Sequence, residues 1–149
     1  MNNNNINIQV YAQKVELLLR LMPIVMDEGV FAVHGGTAIN LFLKNLPRYS
    51  VDIDLTYIPL ADRTASFQDI NSHLQSISEK AHKAFKGMHI VPNYNTCKLL
   101  CEYRGKQVKV EAYTSQDVKE FIFDYLGNYF TELNQGVSIE IIVDHNKEK

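Results

Sequence analysis

The chain has 149 residues, a net charge of −2, and 46% hydrophobic and 21% charged residues. That composition is globular and excludes a disordered chain or a fibre. The length suits one domain over 1–149, with residues 1–9 expected to fray. No apolar run reaches the ~18 residues of a membrane span. Met1-Asn2-Asn3-Asn4-Asn5 puts no basic region before a greasy stretch, so secretion is not expected either. Cys97 and Cys101 have no second ligand pair, which argues against zinc and fits reducing, cytoplasmic surroundings. Charge is uneven along the chain: Lys80 to Lys109 holds seven bases and one acid, and Ser115 onward holds seven acids and three bases. A basic middle suggests a face for an anion such as a nucleotide or RNA.

In chain order, Tyr11, Val15, Leu18, Leu19 and Met22 follow helical spacing. Pro23 is expected to kink or restart that helix, and Gly29 to stop it. Val30 to Val33 is a short apolar run, followed by His34-Gly35-Gly36-Thr37 and a mostly buried helix over Ala38 to Lys44. Val51 to Ile58 alternates, with Ile53, Leu55 and Tyr57 on one side and Asp52, Asp54 and Thr56 on the other. Phe67, Ile70, Leu74, Ile77, Ala81 and Ala84 mark a helix over Phe67 to Lys86, capped by Gly87. His89 to Val91, Thr96 to Tyr103 and Gln107 to Tyr113 read as strands, the last two joined by the tight turn Arg104-Gly105-Lys106. Asp117 to Leu133 reads as a helix and Val137 to Val143 as a final strand. The expected class is α/β (α+β), a mixed sheet flanked by helices.

Asp52 and Asp54 are two apart on a strand and therefore share a face. Adjacent carboxylates repel unless a cation lies between them, and Mg²⁺, with Mn²⁺ as the alternative, suits oxygen ligands. Glu111 sits on the polar side of another strand, opposite Val108, Val110 and Ala112. If the two strands are neighbours, three carboxylates converge, as metal-assisted phosphoryl transfer requires. The Gly35-Gly36-Thr37 turn lies between a strand and a helix, where bare backbone N–H groups and the helix dipole favour phosphate. A phosphatase or nuclease would use the same carboxylates but leave that turn without a purpose.

His34-Gly35-Gly36-Thr37-Ala38-Ile39-Asn40-Leu41, followed by Leu46-Pro47-Arg48-Tyr49-Ser50-Val51-Asp52-Ile53-Asp54-Leu55, closely resembles the AbiEii toxin family, nucleotidyltransferases with a polymerase-β-like fold. Lys109-Val110-Glu111 matches the family's later Val-Lys-Val-Glu strand. The resemblance implies that Gly36 and Thr37, with Gly35 in the same turn, cradle the nucleotide's phosphates. It implies that Asp52 and Asp54 bind Mg²⁺ and that Glu111 is the third carboxylate, helping to deprotonate the acceptor hydroxyl. Arg48 and Lys109 are implied as further phosphate-binding residues. The family's helical C-terminal half, with an Arg…Arg-Asp-x-x-Asp stretch, has no match up to Lys149, so the likeness is to the N-terminal part.

The expected function is transfer of a nucleoside monophosphate from an NTP to an acceptor hydroxyl. An RNA such as tRNA is the leading acceptor, in a bacterial toxin–antitoxin or phage-defence setting. Implied partners are an antitoxin or the missing helical half, and no membrane. The alternative is a degenerate or split domain kept as a nucleotide-binding or protein-interaction module. His34 is expected to pack or cap, His73 and His82 to face solvent, and Cys97 and Cys101 to be core. The aromatics Phe121, Phe123, Tyr125, Tyr129 and Phe130 read as core or a docking face.

Overall fold

The structure is a computed structural model that describes residues 3–34, 52–118 and 120. The expected helices over Ala38 to Lys44 and Asp117 to Leu133, the strand Val137 to Val143 and the aromatic cluster fall wholly or mostly outside these residues. The chain divides into two compact units, Met1–Gln116 and Asp117–Lys149, and the description below is of the first.

Helix α1 spans Asn3–Met26. It starts well before Tyr11, where the apolar spacing begins, and includes asparagines expected to fray. Those residues carry no periodic signal, but a nucleated helix extends at the gain of one hydrogen bond per residue. The helix also runs through Pro23, and Asp27 N–H donates to the Pro23 carbonyl at 3.0 Å. Its core stripe is Val15, Leu17, Leu18, Leu21 and Val25, whereas Tyr11 and Leu19 are exposed. In a leucine-rich run many rotations look equally apolar, and packing against the sheet selects among them.

Strand β1 (Phe31–Val33) follows a turn in which Gly29 takes φ +73°. Strand β2 is Asp52–Tyr57. Helix α2 spans Arg63–Ala84, four residues earlier at its start than the apolar pattern indicates. The reason is Asp62, whose carboxylate accepts from Ala65 N–H at 2.9 Å as an N-cap. The helix ends two residues before Lys86, with Gly87 beyond it at φ +85°. Strands β3 (His89–Asn93), β4 (Lys98–Tyr103) and β5 (Lys106–Thr114) follow. Arg104 and Gly105 join β4 to β5, both at positive φ (51° and 72°), the backbone of a two-residue hairpin turn.

The sheet order is β1-β2-β5-β4-β3; β2 and β5 run parallel and the other pairs antiparallel. Both helices cover one face. Leu18, Leu21 and Val25 of α1 and Ile70, Leu74, Ile77 and Ala81 of α2 form one cluster with Ile53, Leu55, Leu99, Cys101, Val108 and Val110. Each large aliphatic side chain buried there contributes roughly 1.5–3 kcal/mol relative to exposure. Cys97 and Cys101 are free and buried, as expected of core residues. Cys97, however, precedes β4 at φ 52°. Burial pushes the Cys101 thiol up to about 12. Among the described residues no helix is long and apolar enough to cross a membrane.

Candidate active site

Strand alternation fixes what lies on the side of the sheet away from the helices. On β2, Ile53, Leu55 and Tyr57 are buried in the core while Asp52, Asp54 and Thr56 are half-buried on the other face. The parallel pairing of β2 with β5 sets Asp52 beside Lys109, Asp54 beside Glu111 and Thr56 beside Tyr113. The antiparallel pairing of β4 with β5 sets Lys98 on the far side of Glu111 and Leu100 on the far side of Lys109. Neighbouring strands are about 4.8 Å apart. The backbone therefore brings Asp52, Asp54, Lys109 and Glu111 together, as the sequence reading required of adjacent strands.

The charges are tightly interleaved. Lys109 Nζ lies 3.0 Å from Glu111 Oε2 and 3.5 Å from Asp52 Oδ2, and Lys98 Nζ lies 2.8 Å from Glu111 Oε1. Glu111 is only 7% exposed. Burial pushes its pKa up, but the hydrogen bonds from Lys98, Lys109 and Tyr113 prevail and hold it below the ordinary carboxylate value. Asp54 goes the other way, raised chiefly by burial and further by its acidic neighbours Asp52 and Glu111, against the pull of His34 and Lys109. The hydrogen bond to Glu111 holds the Lys109 ammonium above its ordinary value. Tyr113 is pushed up to about 12 by burial and by its hydrogen bond to Glu111.

His34 ends β1 beside this cluster. Its backbone N–H donates to the Asp54 carbonyl at 3.0 Å, and its ring packs edge-on to Tyr113 with centroids 5.6 Å apart. Packing is what the sequence predicted for it. Its Nε2 is buried and, among the described residues, has no hydrogen-bond partner. A buried nitrogen of this kind carries a desolvation penalty of about 1–3 kcal/mol until something binds it. The next residues in the chain are Gly35, Gly36 and Thr37. These three and Arg48 lie outside the described residues.

The three carboxylates offer the hard oxygen donors that Mg²⁺ prefers. An ammonium, that of Lys109, bridges Asp52 and Glu111, so a cation already satisfies part of the acidic cluster. Among the described residues no group of three His, Cys, Asp or Glu side chains is gathered closely enough to hold a metal ion. The donor set thus suits Mg²⁺ in kind, and Glu111 joins it only by giving up a lysine.

Two residues at this site escaped the sequence reading. Tyr113 shares the strand parity of Lys109 and Glu111, a signal that was available. Lys98 matters only through its register with Glu111, which local sequence does not encode. A third correction concerns His73, expected to face solvent. It is half-buried, with Nδ1 2.5 Å from Glu28 Oε2. Glu28 also accepts from Ser76 (2.7 Å) and Lys80 (2.8 Å), which ties the α1–β1 turn to α2.

A mixed five-stranded sheet with helices on one face and a row of paired carboxylates on the other is the framework of a nucleotidyltransferase-type domain. The family model for "Nucleotidyl transferase AbiEii toxin, Type IV TA system" matches residues 16–144. The chain belongs to that family, one of nucleotidyltransferase toxins whose systems pair a toxin with an antitoxin. No curated protein and no solved structure matches it significantly.

Proposed function

We propose that the chain transfers a nucleoside monophosphate from an NTP to a hydroxyl of an RNA acceptor such as tRNA. The observation that supports this reading is the register of β2 against β5, which lines up Asp52 with Lys109 and Asp54 with Glu111 on the sheet face away from α1 and α2. Asp52 and Asp54 would hold Mg²⁺, with Glu111 as the third carboxylate. The metal, when bound, neutralises the triphosphate and acidifies the acceptor hydroxyl.

The chain's own groups divide the remaining work. Lys109, released from Asp52 and Glu111, reaches a phosphate oxygen. His34 Nε2, buried and without a partner among the described residues, donates to another. Gly35, Gly36, Thr37 and Arg48 complete the phosphate cradle. The acceptor oxygen bonds to the α-phosphorus, the bond to pyrophosphate breaks, and the hydroxyl proton passes to a carboxylate. Glu111, the third carboxylate, is freed to take it once Lys109 has moved to the phosphate.

The test is incubation with labelled NTPs, Mg²⁺ and total RNA. Wild-type protein labels RNA, and an Asp52→Ala/Asp54→Ala double variant does not. Labelling that persists in the variant overturns the assignment.

One observation favours a second reading, a nucleotide-binding module without turnover. Both oxygens of Glu111 are already engaged by lysines. Calorimetric titration separates the readings: NTP binding that is indifferent to Mg²⁺, with no product, supports the module.

A further inference from the structure

The sheet face away from α1 and α2 carries two rows that cross four strands in register. One runs Asp52, Lys109, Leu100, Val91; the next runs Asp54, Glu111, Lys98, Asn93. Each row passes from acid, through a mixed β5–β4 pair, to an uncharged residue on β3. The uncharged end is not covered. Val91 is 48%, Leu100 37% and Tyr94 41% exposed, high values for large apolar side chains that are neighbours. With Pro92, Asn93, Asn95 and Lys98 they line an open hollow of about 450 Å³. The turn that carries Tyr94 is anchored, because Asn71 Nδ2 of α2 donates to the Tyr94 carbonyl at 2.9 Å.

We infer that this hollow seats an unpaired nucleobase of the RNA acceptor, placing the acceptor hydroxyl over Lys109 and Glu111; the inference rests on the transferase reading above. Three features select this occupant. The lining combines an apolar and aromatic platform with the amides of Asn93 and Asn95, which suits a planar ring with a polar edge. Lys98 belongs both to the hollow and to the Glu111 ion pair, so a ligand in the hollow adjoins the carboxylates. The third feature is sidedness. In-line phosphoryl transfer puts the entering and leaving oxygens on opposite sides of the phosphorus. His34, the phosphate donor proposed above, follows β1 on one side of the carboxylate strands, and the hollow lies on β4 and β3, on the other. The pyrophosphate therefore belongs to the β1 side and the acceptor to the hollow.

The experiment uses the full chain and a fluorescent single-stranded hexaribonucleotide of mixed sequence. Tyr94→Ala is expected to weaken its binding about 5- to 150-fold, the range for loss of one base-stacking contact. Leu100→Thr weakens it less, and Tyr94→Phe restores it. In the transfer assay Tyr94→Ala raises the KM for RNA and leaves the KM for NTP unchanged, with an unaltered Tm. Failure of the wild type to bind the hexanucleotide overturns the inference, as does unchanged affinity in a Tyr94→Ala/Leu100→Thr double variant. The two readings fail separately. Tyr94-dependent binding without nucleotide transfer sinks the transferase and keeps the base site. Transfer with an unaltered acceptor KM in the double variant, or transfer onto a protein hydroxyl instead of RNA, does the reverse.

Discussion

Asp54 and Glu111 are side-by-side partners on two parallel strands, and their carboxyls are driven in opposite directions, Asp54 up by burial and Glu111 down by its lysines and Tyr113. Lys98→Met removes the ammonium 2.8 Å from Glu111. The Glu111 pKa is then expected to rise toward its ordinary 4.5 or beyond, since burial remains. A side-chain carboxyl NMR titration measures it, and an unmoved Glu111 would show that the Lys98 contact has no electrostatic weight.

His34→Phe keeps the edge-on packing against Tyr113 but removes the unpaired nitrogen. If that nitrogen serves a phosphate, the KM for NTP rises about 10- to 100-fold, the cost of one hydrogen bond to a charged group. Steady-state kinetics with labelled NTP gives the value. An unchanged KM assigns His34 to packing alone.

Glu28 ties the α1–β1 turn to α2 through His73, Ser76 and Lys80. Burial raises its pKa, but those hydrogen bonds hold it below 4.5 overall. Glu111 is depressed likewise. The unfolded chain therefore takes up these protons at higher pH than the native chain. The stability they confer is complete above about pH 4.5 and is lost as pH falls through the native values. Asp54 has the opposite sign and gives up its contribution as pH rises through its elevated native value. Glu28→Gln is expected to lower stability by about 1.5–3 kcal/mol at neutral pH and to flatten the acid limb of a urea-denaturation series. Equal losses at pH 7 and pH 3 would refute the linkage.

Leu74 on α2 is fully buried in the shared cluster. Leu74→Ala is expected to cost about 2–5 kcal/mol, read from the denaturation midpoint at constant slope. A loss below 1 kcal/mol would mean that α2 is not held by that cluster.

Much of this was readable before any coordinates. Alternation over Val51 to Ile58 separated buried Ile53, Leu55 and Tyr57 from Asp52 and Asp54, because a strand has a period of two. The α2 stripe Ile70, Leu74, Ile77 and Ala81 was equally plain. Strand neighbours were not readable. That β5 lies beside β2 follows from packing of the whole sheet, and no residue near Asp54 announces it. The same holds for Lys98, whose partner is 13 positions away across a hairpin. The α1 stripe was partly misjudged because four leucines between Leu17 and Leu21 leave its rotation open until the sheet chooses. The Asp62 cap was a local signal that went unread, as were the partners of His73, which come from the distant α1–β1 turn. The Gly35-Gly36-Thr37 turn rests on the chemistry of its glycines together with the family resemblance, and Arg48 on the resemblance; both lie outside the described residues.

The side-by-side placement of Asp54 and Glu111 has a consequence for biosynthesis. The two residues are 57 positions apart in the chain. During translation β2 emerges with its acids alone, and α2 and the β3–β4 hairpin must be made before β5 can slot in beside it. A polypeptide stalled or truncated before β5 lacks the rung altogether. A cell producing this toxin therefore meets the assembled centre only after nearly the whole first unit has left the ribosome.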